Sequence, residues 1–123
     1  MSRILIADDE ASMRALVARA IAMDGHETVT AQDGAEALEI LTNENGAFDL
    51  LLTDIQMPVM DGIALALTAA RDFPQVTILL MTGFADQRER ASGLNAIAYD
   101  VISKPFSVAD IRTAVADALS SRS

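Results

Sequence analysis

Leu50-Leu51-Leu52-Thr53-Asp54-Ile55-Gln56-Met57-Pro58-Val59-Met60-Asp61-Gly62 is the stretch on which the reading of the whole chain turns. Its leucines show no polar alternation, the pattern of a parallel strand buried on both faces. The run ends in one carboxylate, Asp54, then breaks at Met57-Pro58, and Asp61-Gly62 reads as the start of a new helix. Open α/β sheets place their chemistry at the C-terminal edge of such strands, so Asp54 is expected at the mouth of the fold.

Outward from this strand the chain alternates between two periods. Upstream, residues 3–8 (RILIAD) form a short β run closed by Asp8, Asp9 and Glu10. Met13, Leu16, Val17, Ala20 and Ile21 then recur at three and four, a first helix with Arg14 and Arg19 toward solvent. Gly25, in Asp24-Gly25-His26, is able to take the positive φ that ends helices. Residues 27–31 (ETVTA) make a more polar edge strand. Ala35, Leu38 and Leu41 stripe a second helix that stops in the polar segment 42–46.

Downstream of Gly62, an alanine-rich third helix runs to Phe73-Pro74, and VTILLMTG (76–83) is another buried strand ending in Thr82 and Gly83. The charged segment Asp86 to Arg90 is compatible with a fourth helix, though its apolar side is thin. Ile97 to Ile102 supplies a fifth strand, closed by Ser103-Lys104-Pro105. Ser107 is placed to cap a last helix striped by Val108, Ile111, Val115 and Leu119. Five strands thus alternate with five helices, joined by the short connections of right-handed crossovers.

Composition bounds the function. The 123 residues, 51% apolar, fill one core and leave nothing for a second, so one domain is expected over residues 1–123. The chain has no cysteine, which excludes disulfides, thiolate ligands and a thiol nucleophile. No signal-peptide core follows Met1-Ser2-Arg3 and no run is long enough to span a bilayer, so a cytoplasmic location without membrane insertion is expected. A net charge of −9 disfavours direct nucleic-acid binding and favours basic partners.

The polar residues at the strand ends make one set: Asp8 and Asp9 after the first strand, Asp54 after the third, Thr82 after the fourth, Lys104 after the fifth. A carboxylate after a strand is as readily a helix cap as a ligand. Parallel strands, however, bring all these ends to one crevice. Carboxylates gathered there raise one another's pKa unless a cation neutralises them. Hard oxygen donors suit Mg²⁺, which works with one or two carboxylates plus phosphate oxygens. The only histidine, His26, lies at the far end of the first helix as a surface residue, and no His/Cys cluster argues for zinc. With the cation of Lys104 and the hydroxyl of Thr82 this is a pocket for a tetrahedral oxyanion beside Asp54, a carboxylate able to form an aspartyl phosphate. A phosphatase using the same intermediate is the rival reading. No second acid–base group or substrate cap supports it.

Asp8-Asp9, Asp54 with Met57-Pro58 and Asp61-Gly62, Met81-Thr82-Gly83, and Ser103-Lys104-Pro105-Phe106 together resemble the receiver domain of two-component response regulators, over essentially the whole chain. The resemblance implies a doubly wound α/β sheet of the CheY/flavodoxin-like type, order 2-1-3-4-5, with five helices. It implies Asp54 as phosphoacceptor, Asp8 and Asp9 as the acidic pair organising Mg²⁺, a backbone carbonyl ligand from Gln56, Thr82 as switch hydroxyl and Lys104 as phosphate contact. Gln56 and Phe84 take the positions that tune the lifetime of the acyl phosphate. The implied donor is a histidine kinase or histidine phosphotransfer protein. The domain would catalyse its own phosphorylation and dephosphorylation while acting mainly as a signalling module.

One family feature is missing. Receivers usually carry an aromatic three residues before the lysine, where this chain has Val101. Tyr99 lies two residues earlier, about 6 to 7 Å along the strand, and reads as a partly exposed aromatic. The TGF after the fourth strand and the valine are also similar to the CpdR type of single-domain receiver from alphaproteobacteria. For this chain that likeness implies output by binding a protein target, in that type a ClpXP-type protease, through the face of the fourth helix, fifth strand and fifth helix. A phosphorelay intermediate passing phosphate to another histidine protein is the alternative.

Overall fold

β3 (Leu50–Asp54) is buried along its whole length and pairs in parallel with a strand on either side, β1 (Arg3–Ala7) and β4 (Thr77–Thr82). β2 (Glu27–Ala31) adds to β1 and β5 (Asp100–Ser103) to β4, all parallel, in the order 2-1-3-4-5. The computed structural model describes residues 2–83, 91–94 and 96–121. Among these are α1 (Ala11–Ala22), α2 (Gly34–Asn43), α3 (Gly62–Asp72) and α4 (Val108–Ser120).

Alternation along the strands divides the core in two. Ile4, Ile6, Leu50, Leu52, Leu79 and Met81 pack against Val17 and Ile21 of α1 and Ile111 and Val115 of α4. Leu5, Leu51, Ile78 and Leu80 pack on the other face against Ala37 and Leu41 of α2 and Leu65 and Ala69 of α3. Adjacent leucines of β3 therefore serve different cores, so no polar alternation survives in the sequence. Each such side chain contributes roughly 1.5–3 kcal/mol when fully buried.

The helix ends follow local chemistry. Asp33 and Asp61 accept from the backbone N–H groups of Glu36 and Ala64 at 2.8 and 2.9 Å, capping α2 and α3. Ser107 forms a reciprocal capping box with Asp110 at the start of α4. Gly25, at φ +82°, turns the chain out of α1.

The expected helix count is corrected: the described residues hold four α-helices, not five. Between β4 and β5 they form a 3₁₀ turn, Ser92–Leu94. This crossover is anchored by buried Ala91 and Ala98 and half-buried Leu94 and Ile97. Ser92 and Gly93 interrupt those anchors, and a glycine costs a helix interior about 1 kcal/mol. The helix expected over Asp86 to Arg90 lies outside the described residues, and no described helix is long and apolar enough to cross a membrane.

Candidate functional site

Sheet register sets the site. Ala7 of β1 lies opposite Thr53 of β3, so Asp8, one residue past β1, comes level with Asp54; Asp54 in turn lies opposite Met81, next to Thr82. Thr82 lies opposite Ser103, which puts Lys104 at the same edge, its N–H donating to the Thr82 carbonyl at 2.7 Å. Four strand ends thus deliver their polar residues to one rim.

Asp8, Asp9 and Asp54 each bring a carboxylate oxygen to a point where all three lie within 4.8 Å of one another. Asp8 has no exposed surface and Asp54 is 7% exposed, while Asp9 faces solvent. Asp8 Oδ1 accepts from the Glu10 N–H at 3.0 Å, and Asp54 Oδ1 from the Ile55 N–H at 3.0 Å. Lys104 Nζ lies 3.3 Å from Asp54 Oδ1 and 3.5 Å from Asp8 Oδ2. Burial pushes the carboxyls of both Asp8 and Asp54 above the usual range, and the Lys104 ammonium opposes the shift without cancelling it.

A cavity of about 490 Å³ opens over this cluster, lined by Asp9, Asp54, Gln56, Gly83 and Lys104, with Met13 and Pro105 as its apolar side. Thr82 is buried at the end of β4 beside it, 1% exposed. Phe84 lies outside the described residues. His26 stands apart, its Nδ1 accepting from the Ser2 N–H at 3.1 Å, beside a separate cavity lined by Asp24 and Arg112. Tyr99 is 45% exposed and Val101 is half-buried against the core.

Two residues take parts that their sequence positions concealed. Arg14, expected toward solvent, is half-buried and donates from Nη1 to the Asp8 carbonyl at 2.8 Å, tying α1 to the acidic loop. Met13, counted in the core stripe of α1, packs against that core and lines the cavity as well. Both sit in the first turn of the helix after the acidic loop, and that adjacency was the available signal.

Three clustered carboxylates, an adjacent ammonium and a solvent-open cavity at the C-terminal edge of a 2-1-3-4-5 sheet are the layout of an oxyanion and metal site. The family model described as "Response regulator receiver domain" matches residues 4–116. The chain belongs to the response regulator receiver family. This receiver domain is 40% identical over 111 residues to the response regulator receiver protein CpdR of Brucella abortus, covering 90% of this chain and 91% of that protein. It is 35% identical to the probable transcriptional regulator ycf27 of Guillardia theta, covering 92% of this chain but 43% of that protein, so it spans less than half of that relative's length. Among solved structures, the CheY-like receiver domain protein of Methanospirillum hungatei JF-1 superposes with a TM-score of 0.89 at 30% identity, covering 99% of this chain and 96% of that one.

Receiver domains are phosphorylation switches, and the acidic cluster here fits a metal-coordinating pocket. The donors are oxygens only, two of the three carboxylates are buried, and the single ammonium beside them leaves negative charge unbalanced. That donor set fits a hard divalent cation.

Proposed function

We propose that this receiver domain accepts a phosphoryl group on Asp54 from a histidine kinase or histidine phosphotransfer protein and signals through protein–protein binding. The observation that carries the reading is the position of Asp54. Its carboxylate ends the central strand, lines the cavity, and has the Lys104 ammonium at 3.3 Å.

An Asp54 carboxylate oxygen attacks phosphorus in line as the N–P bond of the phosphohistidine breaks, and the departing imidazole keeps the electron pair. Lys104 contacts the phosphoryl oxygens, and the Thr82 hydroxyl engages them as the switch. Asp8, Asp9, Asp54 and the Gln56 carbonyl would hold Mg²⁺, which supplies positive charge opposite those oxygens when bound. Hydrolysis returns Asp54 to its starting state, so the product is a state of the protein.

The test is intact-mass measurement with Mg²⁺ and a small phosphodonor. One hydroxylamine-labile phosphate is expected, lost in Asp54→Asn; an adduct retained by that variant would overturn the assignment.

For output, likeness to CpdR over nearly all of that protein's length supports a binding module, with priming of a ClpXP-type protease as the specific reading. Val101, where a receiver usually carries a swinging aromatic, shifts any state-dependent change away from that position. Comparing lysate partners of wild type, Asp54→Asn and a beryllofluoride-activated form decides between outputs. A protease enriched on Asp54→Asn supports the adaptor reading. Transfer of phosphate onward to a histidine protein, with no state-selective partner, supports a relay intermediate.

A further inference from the structure

The loop between β3 and α3 begins beside Asp54, includes Gln56, and contains a non-glycine residue at positive φ, Val59. Met60 N–H donates to the Pro58 carbonyl at 2.7 Å, closing a three-residue turn around Val59 at φ +68°. A β-branched residue in this left-handed region is strained, and Val59, 85% exposed, recovers no burial in return. Strain of this kind persists only where the surroundings hold it. One hold is internal: the Gly62 N–H donates to the Ile55 carbonyl at 2.8 Å. Another comes from outside the loop, where the Gly34 N–H, in the first turn of α2, donates to the Met60 carbonyl at 3.0 Å.

We propose that Gly34 is a positioning residue for the Asp54 site, its missing side chain letting α2 clamp the β3–α3 loop through the Met60 carbonyl. This rests on the reading of the acidic cluster as a Mg²⁺ site. A Cβ at Gly34 would lie 2.3 Å from the Met60 oxygen and 3.0 Å from its carbonyl carbon, and the backbone at Gly34 is not left-handed. Close approach, not conformational freedom, is therefore what requires glycine here. The N–H it presents is one that a helix start leaves without an intrahelical partner. Asp33 caps the same turn, so the clamp is built on a fixed helix end. An added methyl drives the Met60 carbonyl back by about 1 Å to ordinary contact. That displacement runs along a short loop to Gln56 and Asp54, which line the cavity together.

The test is calorimetric titration with Mg²⁺ alone on wild type, Gly34→Ala and Gly46→Ala, with unfolding midpoints measured in parallel. Gly46 is the control: at φ +67°, with a Cβ that would meet Phe73 and Gln75 at 2.6 Å, its replacement costs stability without touching the cavity. Gly34→Ala is expected to weaken Mg²⁺ binding about tenfold, while Gly46→Ala loses stability and keeps the wild-type affinity. By linkage, bound Mg²⁺ tightens the clamp in turn, so hydrogen exchange at the Gly34 amide of the wild type is expected to slow on saturation. This second measurement stands even if Gly34→Ala fails to fold. Wild-type affinity in a folded Gly34→Ala, equal weakening in Gly46→Ala, or a Gly34 amide indifferent to Mg²⁺ would each overturn the clamp alone. A wild type that binds no Mg²⁺ overturns the metal reading, and the clamp with it.

Discussion

Lys104 Nζ lies 3.3 Å from Asp54 Oδ1, and the same ammonium reaches Asp8 Oδ2 at 3.5 Å. One cation just past β5 thus serves the carboxylate that ends β3 and the one just past β1. Removing it in Lys104→Ala leaves two mostly buried carboxylates facing each other. The lysine is 19% exposed, so solvent screens part of the loss, and metal-free stability is expected to fall by about 1–3 kcal/mol. Affinity for Mg²⁺ should hold or rise, because a competing cation has gone, while the response to phosphate weakens. Urea denaturation and Mg²⁺ titration of the same sample check both; a large loss of metal affinity would contradict the role given to Lys104.

The raised pKa values of Asp8 and Asp54 fix the sign of a pH dependence. A carboxyl with a higher pKa in the folded chain than in the unfolded one binds its proton more tightly when folded. Stability without metal is then greatest below the ordinary carboxylate pKa of about 3.9 as far as these groups are concerned, and it falls as pH rises through the elevated folded values. Asp8→Asn removes one buried charge and is expected to raise metal-free stability near neutral pH by about 1–2 kcal/mol, with a flatter pH profile. Denaturation from pH 4 to 7 shows this, and Mg²⁺ should narrow the difference.

Asp9 is the exposed member of the cluster and can turn its carboxylate to a cation at little cost. Asp9→Asn is expected to weaken Mg²⁺ binding about tenfold or more and to change stability little, since no buried charge is removed. Equal affinity in wild type and variant would contradict the site.

How much of this was legible in the sequence depended on whether the signal was local. Leu50 to Leu52 announced a strand buried on both faces because neighbouring leucines serve opposite cores, and the polar residues at four strand ends located the rim before any distance was known. Ser107 announced its cap because capping is settled within four residues. Among the described residues the helix count came out one short where the local signal was weakest, in a crossover whose described apolar anchors are two alanines, a leucine and an isoleucine set around Ser92-Gly93. Arg14 was misread because a solvent-facing helix position says nothing of a carbonyl in the preceding loop. The contact of Gly34 with Met60 joins positions distant in the chain, and no periodicity reports it.

Two glycines, similar in sequence context as residues that follow an aspartate, are expected to respond differently to alanine. Gly25 has φ +82° and nothing within 4 Å of an added Cβ, so Gly25→Ala meets only the backbone penalty, about 1 kcal/mol. At Gly62 no left-handed backbone is involved, yet a Cβ would lie 1.9 Å from the Asp54 carbonyl oxygen and 2.8 Å from its carbon. Neither is a flexible side-chain end; both belong to the last residue of the central strand, which is hydrogen-bonded into the sheet. Either α3 withdraws from β3, uncovering Leu65 and Ala66, or the end of β3 shifts and takes the Asp54 carboxylate with it. Gly62→Ala is therefore expected to cost about 2–4 kcal/mol and to slow phosphorylation in whatever fraction remains folded, whereas Gly25→Ala should leave phosphorylation unchanged. Denaturation midpoints and the rate of mass gain with a small phosphodonor separate the two; a Gly62→Ala protein as stable as Gly25→Ala would show that β3 and α3 can move apart freely at this point.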